Sequence, residues 1–277
     1  MIAVMIVSVP AGAANPLSGP GEPIVAGRSY EIPSAVLGSQ RRVNLMLPPG
    51  YDDEKNKDQR YPVLYLLDGG YEWQDFLHIS GLVHQGSLWG INEPLIVVGI
   101  ESVDRRREFT WPSNDPKERV DFPTHGQSER FRTFIRTELK PLVEEELRAS
   151  GVDALMGESL AGLFVVETAL RNGGDFDAYI AISPSLWWSR EALSLEASAL
   201  LARPAQSPRS LWLALADEGG AMRSSMDRLV AALTAKPGKV KWSFTDYPEE
   251  KHSTIYHPAA TKAIRELFPP PPSQDKK

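Results

Sequence analysis

The sequence predicts an α/β protein: a mostly parallel sheet covered by helices on both faces, with an antiparallel hairpin at one edge. Three observations carry that expectation. Short, continuously apolar runs recur along the chain and read as strands buried on both faces. Stretches with helical spacing alternate with them, as parallel strands joined by crossover helices require. The chain also opens with two alternating polar and apolar segments, the mark of half-buried, hairpin-connected strands.

Taken in order, Ser29–Leu37 and Arg41–Leu47 form the hairpin, with Gly38-Ser39 between them. Pro48-Pro49-Gly50-Tyr51 ends it, and Asp52–Arg60 is a charged loop. Tyr61–Leu67 (YPVLYLL) is the first buried run, followed by Asp68-Gly69-Gly70-Tyr71 and a helix over Trp73–Leu88. Pro94–Ile100 is the second buried run, and Glu101–His125 reads as a long polar loop. Helical spacing of Phe131, Phe134, Ile135, Leu139, Leu142 and Leu147 follows, with Pro141 predicting a kink. Val152–Met156, Ala178–Ile182 and Leu211–Ala216 are further buried runs, the first of them leading into a helix through Leu170. Met222–Ala235 is amphipathic, Val240–Tyr247 alternates as a last strand, and Pro258–Phe268 makes a final helix. Neither a repeat nor a second composition regime appears, so residues 28–268 read as one domain.

The ends read differently. Met1–Val9 is apolar, Pro10 breaks it, and Ala11-Gly12-Ala13-Ala14 offers small residues of a cleavage-site type. This predicts a truncated export signal and a Pro/Gly-rich linker over residues 1–27, hence a periplasmic or secreted protein, otherwise a cytoplasmic one. The run is too short to span a bilayer, so no stable membrane insertion is expected. Residues 269–277 have the composition of a disordered tail.

Across 277 residues, 36 acidic side chains outnumber 30 basic ones, so there is no electrostatic footprint for nucleic acid. The chain has no cysteine, which excludes disulfides, thiolate catalysis and Cys-based metal sites. No His/Asp/Glu group shows metal-ligand spacing and no Gly-rich loop has a phosphate-binding pattern, so neither metal nor cofactor is expected. The sequence sets no oligomeric state.

Chemistry gathers where buried runs end. Gly157-Glu158-Ser159-Leu160-Ala161-Gly162 lies between a buried run and a helix, the context of a nucleophile elbow. That turn is sharp enough to demand very small residues two positions either side of the serine. Gly157 and Ala161 meet the demand, although Ala161 departs from the strict G-x-S-x-G pattern. Asp217 and Glu218 follow the run Leu211–Ala216, and His252 follows the last strand. Ligands of open α/β sheets bind at these carboxyl ends. Serine, then acid, then histidine is also the chain order of α/β-hydrolase triads. His252 would take the Ser159 proton, because a free hydroxyl is a weak nucleophile near neutral pH. Asp217 and Glu218 are adjacent, and spacing does not choose between them.

An oxyanion hole needs amides from the residue after the nucleophile and from the loop after an earlier strand; Leu160, and Gly70 or Tyr71, are the candidates. Trp187 and Trp188 follow another buried run and could line a substrate pocket, against the plainer reading that at least one packs in the core. His257 reads as a helix-start residue, His78 and His84 as structural or exposed positions on a helix, and His125 as a neighbour of a helix cap.

Several segments together resemble the putative-esterase family of α/β-hydrolases, the group of enterobactin-type siderophore esterases, feruloyl esterases and S-formylglutathione hydrolases. They are YPVLYLLDGG, PLIVVGIES, RRREFTWP (Arg105–Pro112), GESLAG, AISPSLWW and EEKHSTIYHPA, in the family's order from Tyr61 to Phe268. The resemblance implies the α/β-hydrolase fold, serine-hydrolase chemistry without a cofactor, and an ester substrate, either a small molecule or linked to an oligosaccharide. It matches Ser159 to the nucleophile, His252 to the histidine and Glu218 to the acid, with Asp217 as fallback. Arg105–Pro112 resembles a stretch near the active-site mouth. Rival readings are an acyltransferase of the same fold and a non-catalytic ester- or siderophore-binding protein.

Overall fold

The computed structural model describes residues 19, 21–71, 75–203, 210–236 and 240–270. The expected export signal and most of the expected tail lie outside the described residues, as does Trp73.

Among the described residues, eight strands form one sheet: β1 (Arg28–Ser34), β2 (Ser39–Met46), β3 (Tyr61–Leu67), β4 (Ile96–Ile100), β5 (Ala149–Glu158), β6 (Ala178–Ile182), β7 (Ser210–Ala216) and β8 (Lys241–Tyr247). Their order is β1-β2-β4-β3-β5-β6-β7-β8. β1 and β2 pair antiparallel, β2 pairs antiparallel with β4, and every later pairing is parallel. β1 is the more exposed hairpin strand, and its Pro33 sits where an edge strand tolerates a missing N–H.

β3 shows why continuous apolar runs were needed. Tyr61, Val63, Tyr65 and Leu67 enter one core, while Leu64 and Leu66 enter the other. Side chains alternate across a strand, so a strand covered on both faces must be apolar at every position. One face is covered by α1 (Asp75–Leu88) and α9 (Tyr256–Leu267), through Phe76, Ile79, Val83, Ala260 and Ile264. The opposite face packs against α4 (Ser128–Phe134), α5 (Lys140–Glu146), α6 (Leu160–Arg171), α7 (Trp188–Leu201) and α8 (Gly220–Thr234).

Three differences from the sequence reading have local causes. β5 starts before Val152, because a register shift opposite Tyr61/Val63 and the left-handed Gly151 (φ 84°) insert an irregularity into its first half. At Pro141 the chain runs through a π-helical turn, Ile135–Leu139, between α4 and α5. Proline has no N–H to donate, and the wider turn accommodates the break without ending the helix. The expected loop 101–125 contains α2 (Arg105–Glu108) and α3 (Pro116–Asp121). Each starts at an aspartate whose carboxylate accepts backbone N–H groups: Asp104 from Arg107, and Asp115 from Lys117. Asp115-Pro116 is a cap followed by a first-turn proline, a signal visible in the sequence.

Candidate active site

The strand order reverses around β3: β4 lies on one side of it and β5 on the other. The carboxyl ends of β3 and β5 therefore flank a topological switch point, where α/β sheets form their ligand crevice. Ser159 follows β5, and Gly69-Gly70-Tyr71 follow β3.

Ser159 has φ 59° and ψ −118°, a conformation that side chains with a Cβ rarely adopt. Its amide donates to the Ile182 carbonyl at 3.0 Å, and its carbonyl accepts from Leu163 and Ser185, each at 2.9 Å. Three backbone hydrogen bonds, to the end of β6, to α6 and to the loop after β6, thus hold the strained residue in place. A serine at a helix start ordinarily accepts from the helix's own amides, but the Ser159 hydroxyl makes no such bond. It lies 3.3 Å from the Ser185 hydroxyl instead. The packing explains the small residues: a Cβ on Gly157 would stand 2.7 Å from the Ala161 Cβ. Alanine at 161 is tolerated because Gly157 leaves the room.

His252 Nδ1 lies 2.5 Å from Glu218 Oε1, joining the ends of β7 and β8. Asp217 points elsewhere and pairs with Lys251 on the surface. The choice that spacing left open is thus made by the direction of two neighbouring side chains, and Glu218 is the one that reaches the imidazole. The Glu218 contact holds His252 above its ordinary value, against the opposing effect of burial. Burial pushes the Glu218 carboxyl up, but the imidazole and the Ser183 hydroxyl beside it outweigh that and hold it below the usual range.

Leu160 opens α6, so its amide is one that a helix cannot satisfy internally. Past β3, the Gly69 amide donates to the Ile100 carbonyl at 3.1 Å, which fixes the loop that carries Gly70 and Tyr71. A Cβ on Gly69 would stand 2.3 Å from the Gly99 Cα, so that approach of two backbones requires glycine. Gly70 is buried and Tyr71 is 70% exposed.

Sequence reasoning missed several neighbours. Buried Asp68 accepts from Arg105 Nε at 2.8–2.9 Å and from the Ser102 hydroxyl at 3.0 Å, which ties α2 to the end of β3. Buried Glu108 pairs with buried Arg41, anchoring the same segment to β2. Glu158, immediately before Ser159, is pushed up to about 7 by burial and by Asp75 and Asp68, with His252 and Arg105 opposing. Its place in the elbow hexapeptide was visible; its burial was not.

The two tryptophans divide. Trp188 is buried, donates its indole N–H to the Trp111 carbonyl at 3.0 Å, and packs on Phe122 and His125. Trp187 is half-buried against Phe122 and Trp188. Trp188 is therefore a core residue, and only Trp187 has surface left for a ligand. Just after them, inside the first turn of α7, the backbone is left-handed at Ser189, Arg190 and Glu191 (φ 53°, 56° and 62°). No metal-ligand spacing was legible in the chain, yet the fold brings Asp75, His78 and His257 together.

A mixed sheet with these helices, a serine on a strained strand-to-helix turn, and an acid and histidine at later strand ends define an α/β-hydrolase. Within that class the chain belongs to the Putative esterase family, whose profile matches residues 34–253. It is 34% identical to the ferri-bacillibactin esterase BesA of Bacillus subtilis over 145 residues, 47% of this chain and 50% of that protein. Identity to the siderophore enterobactin esterase of Emericella nidulans is 37% over 89 residues, 31% of this chain and 28% of that protein. The chain thus spans half or less of the length of these relatives. An IroE-like serine hydrolase from Shewanella oneidensis superimposes with a TM-score of 0.74 at 27% identity, covering 87% of this chain and 80% of that one. The siderophore hydrolase EstB from Aspergillus nidulans shares the fold, with a TM-score of 0.77 at 22% identity over 92% of this chain and 98% of that one.

Proposed function

We propose that this protein is a serine carboxylic-ester hydrolase that works through an acyl-enzyme on Ser159. The observation that carries the reading is the His252–Glu218 contact, 2.5 Å long, at the same end of the sheet as a serine whose hydroxyl no helix amide occupies. With Nδ1 turned to Glu218, Nε2 is the ring nitrogen left to serve the serine. Glu218 fixes that tautomer and stabilises the imidazolium. Ser159 Oγ attacks the ester carbonyl carbon as its proton passes to Nε2. The amide of Leu160, with that of Gly70 or Tyr71, stabilises the oxyanion. Collapse breaks the bond to the alcohol, which leaves with the proton from His252. Water then repeats the sequence on the acyl-enzyme, releasing the acid and restoring the serine.

We infer a siderophore-type ester as the substrate class. The names of the relatives and of the solved neighbours support it, as does the half-buried Trp187, which suits a flat aromatic acyl group. The test is a panel of p-nitrophenyl acetate, a triscatecholate trilactone, a feruloyl ester and S-formylglutathione, run with wild type and Ser159→Ala. The trilactone should be the preferred substrate, and Ser159→Ala should lose at least about a thousandfold in turnover of every ester cleaved. Wild-type rates in a rigorously purified Ser159→Ala protein would remove the serine from the mechanism. Preference for S-formylglutathione would remove the siderophore.

A further inference from the structure

Three side chains with no role in the proposed ester chemistry converge where α1 meets α9. Asp75 opens α1 and His78 lies one turn further along the same side of that helix. His257 sits in the first turn of α9. One carboxylate oxygen and one nitrogen from each imidazole all lie within 4.8 Å of one another. The two rings meet edge to face, with centroids 4.6 Å apart.

We propose that Asp75, His78 and His257 form a binding site for a late first-row divalent cation of the Zn2+ type, with further coordination positions open to solvent. Two imidazoles and one carboxylate are the three-ligand set of open zinc sites and of facial-triad metal sites. Calcium and magnesium, which take oxygen ligands, do not suit it. Ligand atoms around a tetrahedral ion at about 2.1 Å stand about 3.4 Å apart. Closing from the observed spacing takes small side-chain rotations. His78 and His257 are exposed and Asp75 is half-buried, so those rotations are not blocked.

Two further features point to a ligand. Among the described residues, neither the Asp75 carboxylate nor either imidazole has a hydrogen-bond or ion-pair partner, an unusual state for a half-buried carboxyl. Asp75 is also crowded by like charge: the carboxyls of Asp68 and Glu158 stand near it, with Arg105 opposing them and His252 opposing at Glu158. A divalent ion on Asp75 offsets that surplus. It would also cross-link α1 to α9, the two helices covering one face of the sheet.

The test uses the tag-free full chain, stripped with chelator and titrated calorimetrically with ZnCl2. The expected result is one Zn2+ per chain, with affinity lowered at least about 100-fold in His78→Ala and in His257→Ala. Asp75→Asn should weaken binding as well. His84→Ala, on the same helix but outside the set, should bind as wild type does. Co2+ should give the visible absorption of a four- or five-coordinate site in wild type and lose it in the two histidine variants, read without any ester assay. Metal-free melting curves show whether each variant is folded. No saturable Zn2+ binding by wild type, or folded His78→Ala and His257→Ala proteins binding within threefold of it, would overturn the proposal. Should a variant fail to fold, the wild-type stoichiometry and Co2+ spectrum decide.

Discussion

Replacing Ser159 by glycine and by alanine separates what the elbow costs the backbone from what the hydroxyl contributes. At φ 59° and ψ −118° a residue with a Cβ is strained by about 1–3 kcal/mol, whereas glycine adopts the same angles freely. Glycine also loosens the unfolded chain, which offsets about 0.5–1 kcal/mol of that relief. The glycine variant should therefore be more stable than the alanine variant, by up to about 2.5 kcal/mol. At about 2–4 °C per kcal/mol for a chain of this size, its melting midpoint should stand up to about 10 °C higher. Both variants lose the hydroxyl and, with it, ester turnover. Calorimetric melts of the two proteins in one buffer, with p-nitrophenyl acetate assays alongside, give both readouts. A glycine variant melting below the alanine variant would refute the assignment of strain to this turn.

Glu218→Gln should lower kcat by about three to four orders of magnitude, as loss of a triad acid does, while Asp217→Asn, which breaks only a surface pair, should stay near wild type. The wild-type rate should rise with pH through a His252 value above 6.5, since only the neutral ring accepts a proton. Removing the Glu218 charge should move that limb to lower pH; an unmoved limb would disconnect the two residues. The same contact should stabilise the fold most between about pH 4.5 and 6.5. It fades as pH rises through the raised His252 value, and again as pH falls through the lowered Glu218 value, so the melting difference between wild type and Glu218→Gln should peak in that interval. Gly157→Ala should destabilise the protein by about 1–3 kcal/mol and impair turnover, because its Cβ would stand 2.7 Å from that of Ala161. Trp188→Ala should cost about 3–5 kcal/mol in denaturant unfolding, as truncation of a fully buried ring does, and a loss under 1 kcal/mol would contradict its place in the core.

By itself the sequence determined the layered sheet, the tight turn at Ser159 and the chain order of Ser159, Glu218 and His252. A strand covered on both faces must be apolar throughout, so YPVLYLL and its counterparts announce themselves locally. A turn as tight as that around Ser159 likewise admits only small neighbours, which residues 157 and 161 display. Tertiary structure decided whatever depends on direction or on partners distant in the chain. Asp217 and Glu218 are equivalent by spacing, and only the path of the loop after β7 sends one to Lys251 and the other to His252. Trp187 and Trp188 are identical as letters, yet Trp188 is buried against Trp111, Phe122 and His125 while Trp187 is left part-exposed. The burial of Glu158, the clamp of Asp68 by Arg105, and the meeting of Asp75 and His78 with His257 arise from contacts between elements far apart in sequence. Local pattern records what each segment needs for its own burial; it holds no information about which distant side chain will face it once the sheet is assembled.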